Sequence, residues 1–401
     1  MRASIVALLL GLAVSPAAAQ DAEAAIAKGV AWLKKAQKRD GSWQPVRSKH
    51  GYGGKETRYP YVRDPTGPTS WALYTLSKCG VKKSDPVIKN GHRWLQTGKK
   101  MLADGAGERG LTGQTWKAGK AWDVTGDDSR DYYSSTYESA ALILMLEAMS
   151  PSKVAARTKN PLKVPRGSRM PKHDWRWMHE RVLWLTVGKR GKLSIRGCQQ
   201  STGGWDYGQG RRDAEDLATT HFCLVGLRAA ARAGYPVEKT SSLTWLRAAK
   251  FCKSVQRDDG GFSYHRKVLG VSAGMTACGV ASLLICKEQI ARGEKRVPGW
   301  IDDAVARGMK RLDALFDVTR NQGEHITTPY HYYYLWTIQQ VGVLSGRREI
   351  GGVDWYEAGK ELLLRNQDAA GMWVDASCAA PRDVLGTCFA LLFLRKATSI
   401  Q

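Results

Sequence analysis

Apolar residues recur along this chain in two alternating registers, and the alternation predicts helices in pairs. In one register they form a single stripe: Ile26, Val30 and Leu33 share one side of a helix over about 22–38, with Trp32 on its flank. In the other they run nearly all round, as from Ser134 to Met149 and from Ser272 to Lys287, the fourth and eighth helices. A helix apolar on every face must be buried, so the even-numbered helices form an inner layer and the striped ones an outer layer. Caps and prolines set the other starts: Pro68, Asp85-Pro86, Asp174, Asp213, Ser241, Pro298, Thr328-Pro329, Asp354 with Glu357, and Pro381. Twelve helices in six pairs predict an all-α fold, an α6/α6 toroid with a double ring of inner and outer helices.

A short motif marks the turns leading inward. Gln, three residues, Gly, any residue and an aromatic occur as Gln37-Gly41-Trp43, Gln199-Gly203-Trp205, Gln256-Gly260-Phe262 and Gln367-Gly371-Trp373. Gln256 follows Gln199 by 57 positions and Gln367 follows Gln256 by 111, so one repeat between the latter two lacks the motif. Each residue has a scaffold role: Gln offers a donor and an acceptor to helix-end backbone, Gly permits positive φ, and the aromatic packs over the turn. Two insertions interrupt the repeats, at about 102–130 and 151–172; both flank the fourth helix and are candidates for covering the mouth of the ring.

Composition narrows the setting. An apolar run from Ala3 to Val14 followed by Ala17-Ala18-Ala19 resembles a signal peptide over 1–19, leaving 20–401 as a single exported domain, periplasmic or extracellular. The formal charge is +24, and from Lys153 to Arg196 thirteen Lys or Arg face only Asp174 and Glu180. Such a 153–196 segment suits an anionic polymer or peripheral contact with an anionic membrane, and export disfavours nucleic acid. Most of the eight cysteines sit in apolar runs and no C-x-x-C occurs, which favours free buried thiols.

The Gln-x-x-x-Gly-x-Trp signature at helix-hairpin turns resembles the prenyltransferase/squalene oxidase repeats of squalene-hopene cyclases, oxidosqualene cyclases and protein prenyltransferase β subunits. The resemblance implies an α/α toroid over nearly the whole mature chain, and is strongest to exported bacterial proteins of that type with no assigned reaction. It also implies reactive groups near the inner-helix N-termini, at the end of the ring where the motifs lie. The cyclases' acid motif D-x-D-D is absent; Asp213-Ala214-Glu215-Asp216 has the carboxylate density without the pattern. Where the prenyltransferases place a zinc-ligating His, Arg382 to Cys388 carries Gly386, and Thr276 stands two before Cys278 where an Asp is needed. No metal or cofactor is therefore expected.

The inner-helix starts supply the candidate site. Asp216, His221 and Asp383 are the catalytic candidates, as proton donors or acceptors in a cyclase, isomerase or polysaccharide-cleaving reaction. Tyr133, Tyr137, Glu138, Thr220, His331, Tyr332 and Arg382 are the candidate pocket lining. The same aspartates also suit helix capping, and the run Tyr330 to Trp336 suits core packing as well as a ligand wall. Three functions stay open: a binding protein for an apolar or anionic envelope ligand such as a lipid, isoprenoid or anionic polymer; an enzyme; and an envelope protein-interaction module.

Overall fold

The computed structural model describes residues 16–43, 66–97, 135–150, 159–186, 188–190, 193–195, 198–206, 215–268, 270–293, 295–323, 330–375 and 383–397. Among them are thirteen helices: α1 (Pro16–Lys35), α2 (Thr66–Lys78), α3 (Pro86–Thr97), α4 (Ser135–Met149), α5 (Lys172–Leu185), α6 (Leu217–Arg232), the short α7 (Val237–Thr240), α8 (Thr244–Ser254), α9 (Ala273–Arg292), α10 (Trp300–Leu315), α11 (His331–Ser345), α12 (Trp355–Asn366) and α13 (Asp383–Leu394). Two antiparallel hairpins, Gly188–Arg190 with Leu193–Ile195 and Glu349–Ile350 with Val353–Asp354, complete the regular structure.

The described residues form a predominantly helical toroid. α2 packs on α4, α4 on α6, α6 on α9, α9 on α11, α11 on α13, and α13 back on α2, so the inner helices close a circuit. α1, α3, α5, α8, α10 and α12 each lean on one or two of these from outside. The all-round apolar sequences therefore have the reason expected: a helix such as α4 meets α2 and α6 on its sides and α5 behind.

Several boundaries differ from the periodicity reading. α1 begins at Pro16, six residues before the predicted start, and α6 begins only at Leu217 because the Asp216 carboxylate accepts from Thr219 N and fixes the cap there. Predicted as starting at Ser241, α8 starts at Thr244 after the separate turn α7. Residue Thr328, the predicted cap of α11, lies outside the described residues; that helix follows Tyr330, a non-glycine residue at φ 74° with no side-chain cap. Ser272 and Asp354 do cap α9 and α12, accepting from Met275 N and from Tyr356 N and Glu357 N respectively.

Each motif glutamine ties one outer helix to the next. Gln37 Nε2 donates to Gly41 O within its own turn and to Val87 O of α3; Gln199 to Gly203 O and Thr244 O of α8; Gln256 to Gly260 O and Ala304 O of α10. Gln367 donates to Gly371 O and to Ala25 O of α1, across 342 residues of sequence, and so joins the last repeat to the first. The four glycines have φ between 88° and 102°. Trp43, Trp205 and Trp373 donate their indole N–H back to Leu33, Leu185 and Leu363; Phe262 has no such donor.

The two outer junctions without a motif use aspartates. Between α3 and α5, buried Asp174 lies 3.2 Å from His92 Nε2 and 3.5 Å from Lys83 Nζ, and these partners outweigh burial to hold its carboxyl below the usual range. Near α10 and α12, Asp313 accepts from Gly351 N and pairs with Arg347 at 3.0 Å.

The predicted insertions attach at opposite ends of α4. Residues 102–130, outside the described part, precede its N-terminus, whereas 151–172 leaves its C-terminus, the end away from the motif turns. A cover for the motif-end mouth is therefore not to be sought in the basic insertion. Seven cysteines in the described part are unbridged, and all but Cys79 are buried.

Candidate functional site

The motif fixes the height of each inner-helix start. Backbone N–H groups of Trp43, Trp205, Phe262 and Trp373 donate to the hydroxyls of Thr69, Thr220, Thr276 and Thr387, one in the first turns of α2, α6, α9 and α13. Thr220, expected to line a pocket, is thus buried and committed to the turn. This threonine is a repeat element that the sequence hides, because it follows the aromatic by 26 residues in the first copy and by 14 or 15 in the others.

Just inside this level the centre of the ring is filled by aromatic rings. Trp71 of α2 meets Phe222 of α6, Trp336 of α11 and Phe389 of α13 with centroids 5.6, 5.4 and 5.2 Å apart, contacts between helices that are not all neighbours in the circuit. Phe222 stacks on Tyr333 at 5.0 Å, and Trp336 on Phe389 at 5.3 Å. These edge and offset geometries are the favourable ones for aromatic pairs. The rings make a floor on which Tyr137 packs at 4.8 Å from Phe222, itself only half-buried. Tyr333 is buried within this floor, Tyr332 is buried against His331 at the start of α11, and Met275 is half-buried on α9.

Asp216, Thr219 and Tyr137 form a connected chain at the edge of this floor. Asp216 Oδ1 accepts from Thr219 N at 2.7 Å, Asp216 Oδ2 from the Thr219 hydroxyl at 2.8 Å, and the Thr219 and Tyr137 hydroxyls are 3.0 Å apart. Burial, assisted by the like charge of Asp206, pushes the Asp216 carboxyl up to about 7 against the lowering effect of its hydrogen bonds from Thr219 and Tyr264. Glu215, also buried, accepts from Thr202 and pairs with Arg266 at 3.4 Å. Glu138, on α4, is buried within electrostatic reach of buried Arg181 on α5. Asp206 was not singled out by the sequence; the available signal was its place directly after the aromatic of the second motif.

His221 stands apart from this chain. Its Nδ1 shares a hydrogen bond with the Tyr333 hydroxyl at 3.0 Å, which in turn lies 3.1 Å from Cys278 Sγ. Complete burial pushes its pKa down to about 3, so it is neutral, and no hydrogen bond joins it to Asp216 among the described residues. His331 packs edge-on against Tyr332 and Tyr334 at the start of α11, and burial lowers its pKa too. Asp383 is the first residue of α13, without a described side chain; Tyr133 and Arg382 lie outside the described residues. No group of three or more His, Cys, Asp or Glu among the described residues is arranged to hold a metal ion.

The Asp216 shift has a measurable consequence. A carboxyl whose folded pKa exceeds its unfolded value favours the folded state below the unfolded pKa, and that contribution is lost as pH rises from about 4 through about 7. The difference in unfolding free energy between the native chain and Asp216→Asn should therefore change with pH across that window, the native chain losing relative stability toward pH 8. A pH-independent difference would show that Asp216 is ionised throughout.

No protein-family model and no curated protein matches the chain. Solved structures do. A variant of the type II terpene cyclase MstE from Scytonema, in complex with geranylgeranyl dihydroxybenzoate, superposes with a TM-score of 0.52 at 11% identity, over 95% of this chain and 98% of that one. The apo form of another MstE variant gives 0.51 at 11% identity, over 96% and 99%. A family 76 glycoside hydrolase from a bovine Bacteroides thetaiotaomicron strain gives 0.55 at 7% identity, over 94% of this chain and 77% of that one. Two enzymes of unrelated chemistry thus share one scaffold with this chain, and what the likeness establishes is the fold alone: a helical α/α toroid.

Proposed function

We propose that the protein binds an apolar envelope ligand, an isoprenoid or lipid chain with a polar or anionic head, at the motif end of the ring. One observation carries this reading: aromatic side chains of α2, α6 and α13, with two from α11, converge at the centre, with half-buried Tyr137 packed against Phe222 and half-buried Met275 against the same core. Aromatic faces and a thioether offer apolar contact at low entropic cost, and the Tyr137 hydroxyl supplies a polar handle. The isoprenoid-tailed compound bound by the Scytonema cyclase supports the ligand class. An exported location accords with the apolar leader-like run over 1–19.

Calorimetric titration with farnesol, farnesyl phosphate and palmitate tests it. One site per chain should saturate with at least one of the three, and Tyr137→Ala should weaken that binding about tenfold, the scale of one lost aromatic contact. Absence of saturable binding by all three probes would sink the proposal.

A second reading, acid–base catalysis, rests on Asp216. A carboxyl titrating near 7 and linked through Thr219 to a hydroxyl at the mouth has the pKa of a proton donor at neutral pH. His221, buried and neutral, has no part in it. Asp216→Asn separates the two readings: an enzyme would keep its ligand and lose turnover, while a binding protein shows no turnover in either form.

A further inference from the structure

We infer that the outer wall of α5, together with segment 159–171, docks onto a bilayer bearing anionic lipid. The segment is fastened to the helix: Trp175 Nε1 donates to Pro161 O at 2.9 Å, Leu162 N donates to Asn160 Oδ1, and Pro165 and Met170 are buried. Between segment and helix lies a slot of about 600 Å³ lined by the apolar Leu162, Val164, Trp175 and Leu183 and by three cations, Lys163, Lys172 and Arg176, against one acid, Glu180, with His179 beside it. Leu162 is 70% exposed, the most exposed large apolar residue among those described, and it is held there by the Asn160 turn.

Charge selects among occupants. Lys159, Lys163, Arg166, Arg169, Lys172 and Arg176 are all exposed on this short stretch. The nearby acids offset little of it: Glu180 pairs with Arg176 at 3.3 Å, and Asp174 is buried against His92 and Lys83. A cationic patch alone suits any polyanion. A fixed, protruding leucine beside an apolar slot suits an interface that is anionic outside and hydrocarbon within, which is a lipid surface. No described helix is long and apolar enough to cross a membrane, so the contact is with the surface.

The test is co-sedimentation of the full chain with phosphatidylcholine vesicles, with and without phosphatidylglycerol. Binding should require phosphatidylglycerol and weaken with added salt. Lys163→Glu with Lys172→Glu should reduce partitioning by more than about tenfold, since each cation near such a surface is worth about fivefold. Leu162→Asp should also reduce it, with an unchanged melting temperature because the side chain is exposed, whereas Leu243→Asp, exposed elsewhere, should leave it intact. Equal binding to neutral vesicles, or wild-type binding by Leu162→Asp together with full displacement by heparin, would overturn the proposal. Leu162→Asp should leave the calorimetric titration of the proposed ligand site unchanged, so failure here and failure of that site are separable.

Discussion

Gly203→Ala is expected to destabilise the ring by about 2–5 kcal/mol, against about 1–2 kcal/mol for Gly80→Ala. Both glycines have positive φ, 102° and 85°, where an alanine pays a left-handed backbone penalty of about 1–2 kcal/mol. They differ in space. A Cβ on Gly203 would lie 2.0 Å from Arg247 O and 2.4 Å from its carbonyl carbon, both backbone atoms of α8, whereas a Cβ on Gly80 meets nothing within 4 Å. Backbone of a packed helix cannot swing aside like a side chain, so the second motif turn or α8 must shift, at a further cost of about 1–3 kcal/mol. The same turn carries the Gln199 bonds to Gly203 O and Thr244 O, and a shift strains them together. Paired denaturant or thermal melts measure the difference. Equal losses for the two variants would mean that close approach to α8 is not what the motif glycine provides.

That contrast also explains what the sequence could disclose. The Gln, Gly and aromatic of each turn lie within seven residues of one another, so their recurrence is visible by inspection, and the inner and outer periodicities follow from burial. Partners separated by whole repeats are invisible in the same way. Asp174 read as a helix start because an acid before an apolar run is a common cap, yet it sits inside α5 and turns to His92 on α3. Asp216, Tyr137 and Thr219 come from two helices whose register only the packing of α4 on α6 sets. His221 was a candidate because it starts an inner helix; two further residues of helical rotation from the capping turn carry it to Tyr333 of α11, whose hydroxyl also contacts Cys278 of α9. A position near a helix start predicts height in the ring and leaves the facing direction undetermined.

The largest loss from a charged residue is expected at Glu147, at the opposite end of the inner helices. Its Oε2 lies 3.1 Å from Lys78 Nζ of α2 and its Oε1 3.1 Å from Arg232 Nη2 of α6, while Arg228, one turn earlier, pairs with Glu288 of α9 at 2.8 Å. Four neighbouring inner helices are thereby linked near their C-termini, where the peptide dipoles favour cations. Burial pushes the Glu147 carboxyl up, but Arg232 and Lys78 outweigh it and hold the group below its usual range. Glu147→Gln keeps the volume and removes the charge, leaving three cations facing Glu288 alone; losing one partner of a buried pair costs about 3–5 kcal/mol. The depressed pKa sets the pH dependence: the carboxylate's contribution is present above the unfolded value of 4.5 and lost as pH falls below it, so the gap between native chain and variant should shrink in acid. Adding Lys78→Met to Glu147→Gln should restore part of the loss, because it removes a cation that the first change stranded. Strictly additive losses in that double variant, or a Glu147→Gln effect under about 1 kcal/mol at neutral pH, would mean that the inner ring is held by apolar packing alone and that these charges are spectators.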